Sequence, residues 1–129
     1  MDLLARREHS RLELFRKLKS REFDEESIEK VLDELNNAGW QSDARYAEVY
    51  IQKRANKGYG PIRIRQELIE RGICCDLINS FLDNDKSYWQ RLAKEVRVKK
   101  FGGAQPKDFK ERAKQMRFLQ YRGFALGDL

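Results

Sequence analysis

His9, the pair Cys74-Cys75, the acidic run Asp24-Glu25-Glu26 and the turn Gly58-Tyr59-Gly60-Pro61 are where this sequence could carry reactive or ligating groups. None has the spacing that catalysis or metal binding needs. His9 is the single histidine and lies among Arg7, Glu8 and Arg11, with no cysteine near it. It is expected on a helix surface, solvated or capping, rather than as a metal ligand. Adjacent cysteines rarely meet disulfide geometry, and two sulfurs are too few for a structural zinc site. They fit a reduced compartment. The acidic run suits the positive end of a helix better than a catalytic carboxylate pair. Gly58-x-Gly60 lacks the longer phosphate-loop pattern and its Lys-Ser/Thr. No Ser/His/Asp or Cys/His set is in place for nucleophilic catalysis. The expectation is a protein with no enzyme activity, no metal and no cofactor.

What remains is positive charge. The chain has 129 residues with 27 Lys/Arg against 21 Asp/Glu, a net charge of +6 and a pI of about 9.4. The charge is uneven. Residues 1–43 carry 8 basic and 11 acidic side chains, and residues 44–129 carry 19 and 10. A basic half suits an anionic partner, either nucleic acid or an acidic protein surface. The candidate binding residues are Lys53, Arg54 and Lys57 at one helix end, Tyr59 in the turn, and Arg63 and Arg65 after it. Farther on come Lys99 and Lys100, then Lys110, Arg112, Lys114 and Arg117. Arg63 and Arg65 fall off the Ile64–Leu68 stripe and are expected to face solvent. Lysines at helix C-termini also complement the helix dipole, which is a structural role for Lys53, Lys99 and Lys100.

These residues need helices to hold them. Leu4, Leu12, Phe15 and Leu18 give helical spacing over 2–20. Asp24 is an N-cap for a second helix with Ile28, Val31, Leu32 and Leu35, stopped by Asn37 and Gly39. Ser42 or Asp43 caps a third over about 43–57. Pro61 opens the next, which carries Ile64, Leu68 and Ile69 and ends at Arg71-Gly72. A short helix with Leu77, Ile78, Phe81 and Leu82 follows. The last two run near 86–100, with Trp89, Ala93 and Val96 inward, and near 107–121, with Phe109, Ala113, Met116 and Leu119 or Gln120 inward. Trp40 and Trp89 are expected to pack between helices rather than stack on bases. No stretch alternates with period two as a strand would.

The pattern repeats. Leu18-Lys-Ser-Arg21-Glu22-Phe23, Leu68-Ile-Glu-Arg71-Gly72-Ile73 and Leu119-Gln-Tyr-Arg122-Gly123-Phe124 align, their leucines 50 and 51 residues apart. Arg45-Tyr46-Ala47-Glu48 pairs with Arg91-Leu92-Ala93-Lys94, and both lead to a glycine break and a proline. The predicted fold is all-α: tandem three-helix repeats stacked into an elongated, curved body. The divisions are 1–39, 40–85 and 86–129. The third is short of its last helix, which would leave Phe124, Leu126 and Leu129 poorly covered. Glu22 stands where the other units have glycine. It is expected either to sit strained in a left-handed cap, at roughly 1 kcal/mol, or to end the helix differently.

No run of 18 apolar residues exists, and Met1–Ser10 has no apolar signal region. The motifs resemble the bacterial regulatory protein RecX family, modulators of the RecA recombinase. The resemblance rests on Arg6-Arg7-Glu8-His9-Ser10, Asp43-Ala-Arg45-Tyr46-Ala47 and Gly58-Tyr59-Gly60-Pro61-Ile-Arg63-Ile-Arg65 through Arg71-Gly72-Ile73. It extends to Phe118-Leu119-Gln-Tyr121-Arg122-Gly123-Phe124 and so covers nearly the whole chain. The resemblance implies a cytoplasmic, non-enzymatic monomer that binds RecA and its filament on DNA. It also implies restraint of ATPase, strand exchange and co-protease activity, in recombinational repair and the SOS response. Two alternatives stand beside it: a non-specific nucleic-acid-binding helical protein, and a helical scaffold for an unrelated acidic protein.

Overall fold

A computed structural model describes residues 7–83 and 86–125, which form seven α-helices and no strand. They are α1 (Arg11–Ser20), α2 (Glu25–Asn37), α3 (Asp43–Asn56), α4 (Pro61–Glu70), α5 (Cys75–Leu82), α6 (Lys86–Phe101) and α7 (Phe109–Tyr121). Short polar residues start them. The Ser10 hydroxyl accepts from the Glu13 N–H while the Glu13 carboxylate accepts from the Ser10 N–H, a reciprocal cap. Asp24, Ser42 and Asp108 each accept from the N–H three residues on. Pro61 is the first residue of α4, where no N–H is needed. Of the helix expected over 2–20, the described residues form Arg11–Ser20, because Ser10 is extended and caps it; residues 7–10 are not helical, and residues 2–6 lie outside the described ones. Leu4 lies outside the described residues.

The aligned turns share one geometry. Leu18, Leu68 and Leu119 carbonyls accept from the N–H groups of Phe23, Ile73 and Phe124 at 3.4, 3.1 and 3.1 Å. The residue before each of those three is left-handed: Glu22 at φ 68°, Gly72 at 83° and Gly123 at 99°. Glu22 therefore takes the strained form of the cap rather than another ending, because the same pair of hydrogen bonds closes its turn.

Among the described residues, α1 and α2 belong to the first repeat, α3 to α5 to the second, and α6 and α7 to the third. The first repeat has its own small core of Leu14, Ile28 and Leu32, flanked by Phe15, Leu18 and Leu35. The second and third share one larger core, from Tyr46 and Ala47 through Ile64, Leu68 and Ile78 to Trp89, Leu119 and Phe124. Phe124, expected to be poorly covered, is only 1% exposed. It follows the turn that docks on α4: the Gly60 N–H donates to the Arg122 carbonyl at 2.8 Å and the Ile62 N–H to the Gly123 carbonyl at 2.9 Å. Leu126 and Leu129 lie outside the described residues.

Other expectations fail for local reasons. Trp40 is 57% exposed rather than packed between helices, and it follows the left-handed Gly39 in the turn after α2. Trp89 is buried as expected, its indole N–H donating to the Leu82 carbonyl at 3.2 Å. Phe109 is exposed because it is the first residue of α7, and Gln115 takes a buried place in that seam instead. Val31 and Ile69 lie at the exposed edges of their stripes.

His9 also differs from expectation. It is buried ahead of α1, not solvated on a helix surface. Its Nδ1 lies 3.0 Å from the Arg7 carbonyl, and the Lys17 ammonium lies 3.2 Å from Nε2. That places the proton on Nδ1. Burial, then Arg7 and Lys17, pull its pKa below the ordinary value.

Candidate functional site

The candidate residues divide into a structural set and an open set. Arg54 belongs to the first. Its guanidinium makes two hydrogen bonds to the Glu67 carboxylate, at 3.0 and 2.9 Å, with both side chains 19% exposed. This fork ties the end of α3 to α4. Arg65, expected to face solvent, is half-buried: it bonds the Asn79 side chain and pairs with Asp83 at 2.9 Å, tying α4 to α5. Arg63 is also half-buried. Its guanidinium lies 4.5 Å from the Tyr59 ring centre and 5.8 Å from that of Tyr121. Tyr59 is packed by Arg54 at 4.0 Å and Arg122 at 5.0 Å as well. Three guanidiniums around one ring make Tyr59 the clasp between the second and third repeats, not a free stacking surface.

The open set collects in two places. The first is a groove of about 380 Å³ where the C-terminal ends of α3 and α6 converge. Lys57, Lys99, Lys100 and Arg122 line it over Val96 and Phe118, with Glu95 as the acidic member. Lys57, Lys99 and Lys100 are exposed. Lys100 sits 5.7 Å from the Phe118 ring centre, and Arg122 donates to the Lys57 carbonyl at 3.2 Å. Lysines separated by some forty residues thus serve one groove. Each also neutralises the negative end of its helix. Lys53, exposed on α3, shares with Lys57 a separate groove lined also by Arg7, Tyr46 and Arg71. Burial pushes the Tyr46 phenol there up to about 12, so it stays protonated.

The second place is α7. Lys110, Lys114 and Arg117 follow one another at helical spacing and, with Lys107, line a groove of about 540 Å³ near Phe101. From Lys110 to Arg117 the rise is about 10 Å. Arg112 faces a different groove of about 840 Å³ between α6 and α7, with Lys94 and Arg97 on its rim and Ala93, Met116 and Leu119 on its floor.

The electrostatics differ sharply along the chain. Every ion pair among the described residues lies at or before Asp83: Arg7–Glu13, Arg11–Glu29 and Asp33, Lys19–Glu25, Arg45–Glu8, Arg54–Glu67 and Arg65–Asp83. Over residues 91–117 there are 10 basic and 3 acidic side chains. Asp108 is occupied as the α7 cap, and Glu111 accepts from Gln115. Most cations of the third repeat face solvent; Arg97 and Arg122 are half-buried, Arg97 donating to the Gln115 side chain at 3.5 Å and Arg122 to the Lys57 carbonyl. Such an arrangement can attract an extended anionic surface by charge.

Arg122, Lys107, Lys94 and Arg97 join the candidate surfaces as well, beyond the cations singled out by their sequence positions. Arg122 was legible only as a helix-end cation. Its use depends on α7 returning across α3, which no local pattern encodes. Among the described residues no three His, Cys, Asp or Glu side chains are grouped to hold a metal ion. No described helix is long and apolar enough to cross a membrane.

Three family models match in tandem: RecX, first three-helix domain, over 1–35; second three-helix domain, over 42–82; and third three-helix domain, over 87–128. The regulatory protein RecX of Pseudomonas entomophila (strain L48) is 49% identical over 126 residues, covering 98% of this chain and 81% of the relative. That of Pseudomonas putida KT2440 is 48% identical over the same span. Among solved structures, one described as the crystal structure of regulatory protein RecX superposes with a TM-score of 0.83 at 25% identity. It covers 98% of this chain and 64% of that one. RecX from Lactobacillus salivarius superposes at 0.84 with 20% identity, covering 98% and 84%.

Proposed function

The chain belongs to the RecX family, and on that premise we propose that it binds the RecA recombinase and its filament on DNA. Bound there, it inhibits ATP hydrolysis, strand exchange and co-protease activity. It acts without catalysis, as a cytoplasmic monomer with no cofactor. The observation that supports this best is the cation field of the third repeat, which makes no ion pair among the described residues and continues into the second through the groove of Lys57, Lys99, Lys100 and Arg122. A row of helical repeats presents such charges over a length that spans neighbouring subunits of a filament. Acidic surface on RecA and DNA phosphates are the matching anions. Holding adjacent subunits in one relation opposes the motions that ATP turnover needs.

The test is ATP hydrolysis by RecA on single-stranded DNA with this protein added. Inhibition at or below one copy per RecA is expected, and no inhibition at that ratio overturns the reading. The second reading, non-specific binding to nucleic acid, is favoured by the Lys110, Lys114, Arg117 stripe. It predicts binding to free DNA that falls steeply with salt. Lys110→Glu with Lys114→Glu separates the two. Inhibition that survives loss of free-DNA binding supports the filament reading; joint loss supports the second.

A further inference from the structure

The helix before each aligned turn has a corresponding face in all three repeats, and its chemistry changes from one to the next. By the alignment of Leu18, Leu68 and Leu119, the places of Lys114, Arg117 and Tyr121 are held by Glu13, Arg16 and Ser20 in the first repeat. In the second they are held by Arg63, Gln66 and Glu70. Those two faces are of mixed charge and satisfy themselves. Glu13 pairs with Arg7 at 2.9 Å, and the Ser20 hydroxyl donates to the Lys17 carbonyl at 2.7 Å. Arg63 packs on Tyr59, and Gln66 donates to Glu70 at 3.5 Å. The third face has one sign. Lys110, Lys114, Arg117 and Tyr121 recur at intervals of four, three and four residues, so they stand in one row along α7. All four are exposed, and among the described residues none of the three cations makes an ion pair. Tyr121, at the end of the row, is 78% exposed.

We propose that Tyr121 is a stacking platform for an unpaired nucleobase, which gives a single-stranded nucleic acid on the α7 row a contact that a duplex cannot make. The row has no aliphatic member, so it offers a protein partner little apolar area to bury. A polynucleotide strand brings what the row can use: phosphates for three cations and a π-face for the ring. From Lys110 to Tyr121 the helix rises about 16 Å, and a stacked strand advances about 3.4 Å per nucleotide, so the row spans about five nucleotides. The ring is also steadied. The Arg63 guanidinium lies 5.8 Å from its centre and is itself anchored 4.5 Å from the centre of Tyr59. That guanidinium adds positive charge beside the ring, where the phosphate next to a stacked base would lie. The neighbouring aromatic residues are placed otherwise. Tyr59 is enclosed by three guanidiniums, and Phe109, 87% exposed, lines the groove between α6 and α7 instead of the row. In a duplex each base is paired and stacked, and freeing one costs energy, so a duplex meets the cations alone.

The proposal rests on the nucleic-acid reading of the α7 cations, and the test keeps the two apart. The probes are a fluorescein-labelled oligothymidylate and a labelled duplex of equal length, each titrated with the full chain. The forms are parent, Tyr121→Ala, Tyr121→Phe, and Phe109→Ala as an exposed aromatic control off the row. Tyr121→Ala should weaken binding to the single strand by about fivefold or more, the lower end of what one stacked base contributes, and leave duplex binding within about twofold of parent. Tyr121→Phe keeps the π-face and should bind the single strand like the parent, as should Phe109→Ala. Helical content should be unchanged in all forms. A single strand carrying 5-iodouracil should photo-crosslink to Tyr121. If the parent binds the single strand and Tyr121→Ala binds it equally well, or loses duplex binding to the same degree, the stacking proposal fails and the charge reading stands. It fails too if Tyr121→Ala loses only binding to RecA without DNA, since the ring then serves a protein surface. If the parent binds neither probe, both fail.

Discussion

Where the third repeat meets the second, backbone meets backbone: Gly60 and Ile62 donate directly to the carbonyls of Arg122 and Gly123, over a shared apolar core. Where the second meets the first, side chains close the contact. Asp43 accepts from the Arg11 N–H at 2.8 Å and from Gln41 at 2.9 Å; Gln41 reaches the His9 carbonyl, and Arg45 pairs with Glu8. The first repeat keeps a separate core. Both junctions need a glycine, since a Cβ on Gly72 would stand 2.6 Å from the Leu12 Cβ. The backbone junction is indifferent to pH, whereas the side-chain junction titrates and can open without unfolding the rest. The second and third repeats should therefore behave as one body, with the first repeat hung on a weaker, adjustable seam.

The strongest way to break this contrast is Gly123→Ala. The residue sits at φ 99°, which costs a side chain about 1 kcal/mol, and the new Cβ would press on the Arg63 backbone. Two hydrogen bonds between repeats at about 1 kcal/mol each would be strained or lost. A loss of about 3 kcal/mol is expected in urea unfolding, and Gly60→Ala, whose Cβ would stand 2.5 Å from the Gly123 carbonyl, should match it. A loss below 1 kcal/mol for both would mean that the junction is not rigid.

The corresponding change at the other junction is smaller and local. Asp43→Ala removes the acceptor for the Arg11 N–H and for Gln41, so a cost of about 1–2 kcal/mol is expected, as for losing a helix cap. Because the cores are separate, hydrogen exchange should speed up in α1 while α4 and α7 stay protected. Equal loosening throughout would show that the three repeats unfold as one unit. Glu22→Gly works in the opposite direction. It relieves the left-handed strain at φ 68° and should stabilise the first repeat by about 1 kcal/mol, seen as slower exchange in α1 and α2.

This division explains what was legible in the sequence. Helix starts were readable because Asp24, Ser42 and Pro61 act within three residues of themselves. The repeat was readable because each unit uses the same turn, and even the strain at Glu22 followed from alignment with Gly72 and Gly123. Relations between repeats were not. Arg54 and Arg65 looked like free cations, and only the packing of α4 on its neighbours brings Glu67 and Asp83 to them. His9 looked solvated because its burial depends on Gln41 and Asp43 closing over the start of α1. For the binding face, the local charge on α7 was visible, but the convergence of Lys57 with Lys99, Lys100 and Arg122 was not.

The finest test is pH, because the first seam contains the chain's single histidine. Burial holds His9 neutral, with its pKa below the ordinary value of about 6.5, and its Nε2 faces the Lys17 ammonium. Protonation would place a second cation against Lys17 and near Arg7. The sign follows from linkage: in the unfolded chain His9 takes up a proton first, so its contribution is complete above about pH 6.5 and declines as pH falls toward the folded pKa. Glu13, whose carboxyl is held below its ordinary range by the Arg7 guanidinium against the opposing effect of burial, stays ionised through that window. Protection factors in α1, corrected for intrinsic exchange, should fall modestly between pH 7.5 and 5.5, and His9→Asn should flatten the dependence. The Gly60 and Ile62 amides, bonded only to backbone carbonyls, provide the internal control and should hold constant. A fall of equal size at both junctions would assign the effect to global stability and remove His9 from the seam's chemistry.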